Sequence, residues 1–235
     1  MKLIKILPNF LTILNGFCGC LAILFIIENE SFGYNHGYQL ALLLVLLGGM
    51  FDYLDGYFAD ILNAKSKIGL HLDSLSDLIT FSLTPAFLMY DFFQNQSSDL
   101  HFLPLISLLI IPFSMIRLAR FNSLPSKSYF LGLPTPANGI FFIGIPFLSF
   151  DIKLEYFSII ILSFCFLMIS NIKFESFKKS TDRRSKKIFY LILILLLTIS
   201  FISIVFNNIN LLNMVSITVI IYVISSILFT VYRSI

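Results

Sequence analysis

The chain has 235 residues, of which 57% are apolar and only 12% charged, and its formal net charge is +3. Mean hydropathy is +0.91. No soluble fold hides that much apolar surface, so these values exclude a soluble globular domain and point to an all-α, polytopic membrane protein.

Apolar runs of about 20 residues, the length that crosses a bilayer, predict about eight spans: 10–28, 40–62, 73–95, 103–121, 134–150, 155–172, 187–207 and 211–232. Residues 134–150 form the shortest, rich in Pro and Gly. No internal repeat, low-complexity stretch or second domain interrupts the series, so 1–235 reads as a single integral membrane domain. Met1–Ile27 has the basic start and apolar run of a secretory signal. No A-x-A cleavage site follows it, and it reads as a retained first helix. Cys18, Cys20 and Cys165 fall in predicted spans and read as packing residues.

The basic residues test this topology. Lys2 and Lys5 precede the first span, and Lys65 and Lys67 follow the second. Arg117, Arg120 and Lys127 surround the end of the fourth, Lys173 to Lys187 follow the sixth, and Arg233 follows the eighth. All fall on one side, with Lys153 on the other. The positive-inside rule makes that side cytoplasmic and puts both termini there. The basic 173–187 connection reads as an orientation signal that also meets anionic headgroups, and no nucleic-acid partner is expected.

Carboxylates interrupt the apolar pattern at the second and third spans. Asp52 and Asp55 are three apart and share a helix face, as do Asp73 and Asp77, four apart. The connection between them is short, so an antiparallel hairpin presents all four acids to one another. A carboxylate at a helix centre costs roughly 2.5–3.5 kcal/mol on insertion scales, and four together repel unless cations share them. Hard oxygen donors without a His or Cys cluster favour Mg²⁺ or Mn²⁺. Gly56 lets a ligand approach the helix backbone, Ala59 keeps the face open, and Gly69 marks the start of the third span. Asp60 is rotated by about 80° from Asp52 and about 140° from Asp55, away from the cluster. His71 reads as a bystander. Helix capping by Asp73 is the bland alternative, but it leaves Asp52 and Asp55 unexplained.

The pattern Asp52-x2-Asp55-Gly56-x2-Ala59-x9-Gly69-x3-Asp73-x3-Asp77 resembles the signature of the CDP-alcohol phosphatidyltransferases. One position departs from it: Asp60 stands where that family usually has Arg, and Lys65 or Lys67 would have to supply the missing positive charge. The resemblance implies two metal ions, Mg²⁺ or Mn²⁺, held by Asp52, Asp55 and Asp73. It makes Asp77 the general base, itself touching a metal. It also implies a CDP-linked lipid bound by Asn9, Thr12, Asp55, Gly56, Ala59, Lys65, Lys67 and Gly69.

Two further segments are similar to the phosphatidylserine synthase branch of that family. They are L-P-N-F-L-T-I-L-N-G at the N-terminus, with Pro8, Asn9 and Thr12 at the nucleotide end, and R-L-A-R-F-N with Y-F-L-G-L-P-T-P-A-N at 117–122 and 129–138. The likeness covers residues 1–150, the expected catalytic core, and leaves 151–235 as additional transmembrane helices. It implies CDP-diacylglycerol and L-serine as substrates, CMP and phosphatidylserine as products, and a homodimer among membrane lipids. A bacterial inner membrane with the site facing the cytoplasm is the expected location. Arg117 and Arg120 share a helix face and suit either a carboxylate or a phosphate, or else anchor topology. Glycerol 3-phosphate or inositol phosphate is therefore the alternative acceptor, and a cation transporter the remote one.

Overall fold

The computed structural model describes residues 6–29, 31, 36–96, 102–123, 129–148, 154–175 and 214–234. Helix α1 (Leu7–Ile27) carries Pro8 in its first turn, where a missing N–H costs nothing. Helix α2 (His36–Ile61) returns antiparallel to it. It closes on Asn63, whose φ of 47° lies in the left-handed region. Ala64 N–H bonds Ala59 O and Asn63 N–H bonds Asp60 O, the pair of bonds that ends a helix in a Schellman turn.

Helix α3 (Lys67–Leu78) starts at Ser66, whose Oγ accepts the Gly69 N–H at 3.0 Å. The cap is therefore Ser66, and the third span starts six residues before the expected Asp73, which sits inside the helix. The helical path widens into a π segment (Ile79–Leu83) and continues as α4 (Thr84–Gln96). Pro85 explains the widening: it has no N–H for the Phe81 carbonyl, and its ring would clash with that oxygen in a regular helix.

The expected fourth span is broken into α5 (Leu103–Ser107) and α6 (Ile110–Ser123). The fifth is short, α7 (Thr135–Ile143) followed by a 3-10 turn (Ile145–Phe147). Then come α8 (Leu154–Ile169) and α9 (Met214–Ser234). The expected seventh span, 187–207, and most of the basic connection lie outside the described residues. One exception to the all-α expectation is a small antiparallel sheet of β1 (Tyr129–Leu131) and β2 (Lys173–Glu175), with Phe130 opposite Phe174. Among the described residues, three helical stretches are long and apolar enough to cross a membrane: Leu7–Ile27, His36–Ile61 and Pro104–Ser123, the last running through the break between α5 and α6.

Large apolar side chains such as Phe10, Ile13, Phe17 and Leu24 lie exposed on α1. An apolar exterior suits lipid, where close packing, not water exclusion, holds helices together. Small residues make that packing close. A Cβ on Gly19 would lie 2.7 Å from Thr80 Oγ1 and 2.8 Å from Thr80 Cα, and one on Gly48 would lie 2.8 Å from Thr80 Cγ2. Thr80 also donates to Asn15 O at 2.8 Å. The start of the π segment is thus wedged between α1 and α2, which fixes the depth of the aspartates one turn before it.

Candidate active site

Asp52 and Asp55 on α2 and Asp73 on α3 converge, with one carboxylate oxygen from each lying within 4.8 Å of the others. Asp55 is buried and the other two are partly buried. Asn63 and Ser66 make this possible, because the turn they cap brings the two helices together as a tight hairpin. Asp77 stands one turn further along α3, buried, with Asn15 Nδ2 donating to its Oδ1 at 3.2 Å. It lies within electrostatic range of Asp52 and Asp73.

The donor set fits a divalent cation. Three hard carboxylate oxygens at mutual distances a single ion can bridge are what such an ion requires, and without one three negative groups would sit close together in a partly buried place. Asp52, Asp55 and Asp73 would hold it.

Helix α1 supplies the flank of this cluster. Thr12 Oγ1 lies 2.5 Å from Asp55 Oδ2 and 3.0 Å from Pro8 O. Its hydroxyl is therefore engaged by a carboxylate of the cluster, where the resemblance implied contact with the CDP-lipid. Asn9 sits over Gly69: a Cβ at Gly69 would come within 2.9 Å of Asn9 Oδ1. Gly56 and Ala59 are half-buried on α2, while Lys67 and His71 are exposed. Lys65 is exposed and paired with Asp60, so the residue standing in place of the family's Arg meets a cation on the surface, outside the aspartate trio.

The two arginines of α6 part company. Arg117 is buried, 6% exposed. It donates to Thr135 Oγ1 at 3.2 Å and lies 5.3 Å from the Phe121 ring and 5.9 Å from the Phe130 ring. Its charge acts on Asp77 and Asp73. Arg120 instead donates to the carbonyl oxygens of Ile169 and Ser170, at 2.8 and 3.4 Å, and to Asn171 Oδ1. It caps the C-terminus of α8, where a cation offsets the helix dipole, and the shared-face expectation for the pair separates into two roles. Asn122, in the same segment, donates to Ser74 Oγ beside Asp73 at 2.8 Å. Sequence reasoning missed Asn15, Ser66, Asn63 and Thr135. A polar Asn in the middle of an apolar span was the signal for Asn15.

The chain is similar to several curated proteins bearing the name CDP-diacylglycerol–serine O-phosphatidyltransferase. The Bacillus subtilis protein is 37% identical over 74% of this chain and 92% of its own length. The Methanocaldococcus jannaschii protein is 36% identical over 75% and 76%, and the Helicobacter pylori protein 31% identical over 80% and 79%. Helices long and apolar enough to cross a membrane make this an integral membrane protein. The sequence profile of the CDP-alcohol phosphatidyltransferases matches residues 5–218, and the chain belongs to that family.

Proposed function

We propose that this protein transfers the phosphatidyl group of CDP-diacylglycerol to the hydroxyl of L-serine, giving phosphatidylserine and CMP. The observation that carries the reading is the convergence of Asp52, Asp55 and Asp73 beside a buried Asp77 whose carboxylate accepts from Asn15. The names of the relatives support serine as the acceptor.

In this reading Asp52, Asp55 and Asp73 would hold two ions, Mg²⁺ or Mn²⁺, which when bound would supply positive charge to offset that of the diphosphate and of the leaving group. Thr12 orients the Asp55 carboxylate. Asn9, Gly56, Ala59, Gly69 and Lys67 line the place of the CDP-lipid, the small residues leaving room for the diphosphate. Arg117 takes the serine carboxylate. Asp77 accepts the proton of the serine hydroxyl, and the oxygen so activated attacks the phosphorus that bears the diacylglycerol. The bond from that phosphorus to the CMP oxygen breaks, and CMP leaves with the electron pair. Positioning and electrostatics do most of the catalysis in such transfers.

The basic residues support a site facing the cytoplasm with both termini inside, in a bacterial inner membrane. The catalytic core is 1–150, with 151–235 as additional helices, and the chain works as a homodimer.

The test is CMP release by the purified protein with CDP-diacylglycerol and Mg²⁺ or Mn²⁺, offered serine, glycerol 3-phosphate or inositol phosphate separately. Serine-dependent release that a chelator stops is the expected result. Release with another acceptor only would overturn serine.

A further inference from the structure

Two polar side chains near Arg117 are fully buried without a hydrogen-bond partner among the described residues. Asn138 leaves both its amide oxygen and its amide nitrogen unpaired, and Ser114 its hydroxyl. Buried polar groups in native proteins are nearly always satisfied, and leaving them unmet is costly. Two such groups in one place point to a ligand that completes them.

Their place follows from the contacts on either side. On α6, Ser114 lies between Ile110, whose carbonyl accepts from Ser82 of the π segment at 3.4 Å, and Arg117, which reaches Thr135 of α7. On α7, Asn138 lies between Thr135 and Gly139, and a Cβ on Gly139 would come 2.6 Å from Phe81 O of the π segment. Both groups are thus bracketed by contacts joining the same three elements, in the wedge directly beyond Asp77.

The wedge offers a guanidinium together with a neutral amide, which both donates and accepts, and a hydroxyl. Arg117 repels cations, which argues against a second metal site. A simple anion would use Arg117, the Asn138 amide nitrogen and the Ser114 hydroxyl, and leave Asn138 Oδ1 unmet. A zwitterion meets donors and acceptors together: its carboxylate pairs with the guanidinium and accepts from Asn138 Nδ2, and its ammonium donates to Asn138 Oδ1 and Ser114 Oγ. Arg117 is near enough to Asp77 and Asp73 for their charges to interact, so a small molecule held on the guanidinium can present its hydroxyl to the base.

We infer that Asn138 and Ser114 form, with Arg117, the amino-acid subsite of this enzyme and read the α-ammonium group of the acceptor. This rests on the serine reading above and adds the residues that would select an amino acid over a sugar phosphate or polyol phosphate.

The experiment is steady-state CMP release by the full chain in detergent, varying serine at saturating CDP-diacylglycerol and the reverse, for the wild type, Asn138→Ala and Ser114→Ala. Thermal unfolding of each protein in the same detergent is the control for folding. The expected result is a serine KM raised about tenfold or more in Asn138→Ala and less in Ser114→Ala, because a hydrogen bond to a charged group is lost. Both kcat and the KM for CDP-diacylglycerol stay within about twofold. An unchanged serine KM overturns the subsite, as does a rise confined to the KM for CDP-diacylglycerol, which would place the amide at the cytosine instead. Ser114→Ala removes one hydroxyl and carries the same test if Asn138→Ala does not fold. Failure of the underlying reading shows separately, as a wild type that releases no CMP with serine.

Discussion

Asn15 on α1 donates to the Asp77 carboxylate on α3 at 3.2 Å, joining two residues 62 apart in the chain. The same Asn15 backbone accepts from Thr80 at 2.8 Å, so one residue fixes both the helix and the orientation of its carboxylate. A hydrogen bond to a charged group is worth about 1.5–3 kcal/mol. Asn15→Leu is therefore expected to lower kcat by about 10–100-fold, with the metal concentration for half-maximal activity unchanged. Steady-state kinetics across a metal titration checks both parts.

Thr12 stands to Asp55 as Asn15 stands to Asp77, at 2.5 Å, but its carboxylate belongs to the trio that would hold metal. Loss of an outer partner of this kind costs about 10–100-fold in metal affinity or activity. Thr12→Val should raise the Mg²⁺ or Mn²⁺ concentration needed for half-maximal CMP release by that factor. Thr12→Ser, which keeps the hydroxyl, should restore it. A Val variant with wild-type metal dependence would leave Thr12 a role in substrate contact only.

The aspartates were legible in the sequence because carboxylates are so costly among apolar residues that their i, i+3 and i, i+4 spacing stands out. The way the chain assembles them was not. Asn63 and Ser66 set the hairpin turn, yet in sequence they are two small polar residues among several in a connection. The π segment depends on Pro85 meeting the Phe81 carbonyl, and periodicity read at 3.6 residues per turn passes over one extra residue. Arg117 and Arg120 look equivalent from their spacing. What separates them is that the end of α8, some fifty residues later, arrives at Arg120, a long-range contact no local pattern records.

Glycine packing yields a contrast within one bundle. A Cβ at Gly19 would meet the Thr80 backbone at 2.8 Å, whereas one at Gly49 would meet the Phe81 ring at 3.5 Å, ordinary contact. Backbone cannot step aside as a side-chain tip can. Gly19→Ala should destabilise the protein by about 1–3 kcal/mol and reduce activity by shifting α3. Gly49→Ala should be neutral or slightly stabilising, since Ala gains up to about 1 kcal/mol over Gly inside a helix. Thermal unfolding in detergent separates the two.

The two arginines of α6 should separate in the same manner. Arg117→Lys keeps the charge but loses the planar fork that grips a carboxylate, so the serine KM should rise about tenfold or more with little change in melting temperature. Arg120→Lys loses the fork that reaches two α8 carbonyls and Asn171 at once. Its expected effect is a loss of about 1–3 kcal/mol in stability, with the serine KM unchanged. A serine KM that moved in both variants would return Arg120 to the acceptor site.

Asp60 and Lys65 pair on the surface, their side chains 49% and 72% exposed. At such exposure an ion pair is worth about 0–1 kcal/mol, because water and salt screen it. Lys65→Ala and Asp60→Ala should each leave the melting temperature nearly unchanged. Asp60 offsets part of the Lys65 charge, so of these two lysines Lys67, at the first residue of α3, is the better placed for a diphosphate there. Lys67→Ala should then raise the KM for CDP-diacylglycerol about 3–10-fold at low salt and less at high salt, while Lys65→Ala changes it less than about twofold. The reverse order would mean that Lys65 leaves Asp60 when the lipid binds and replaces the arginine this chain lacks.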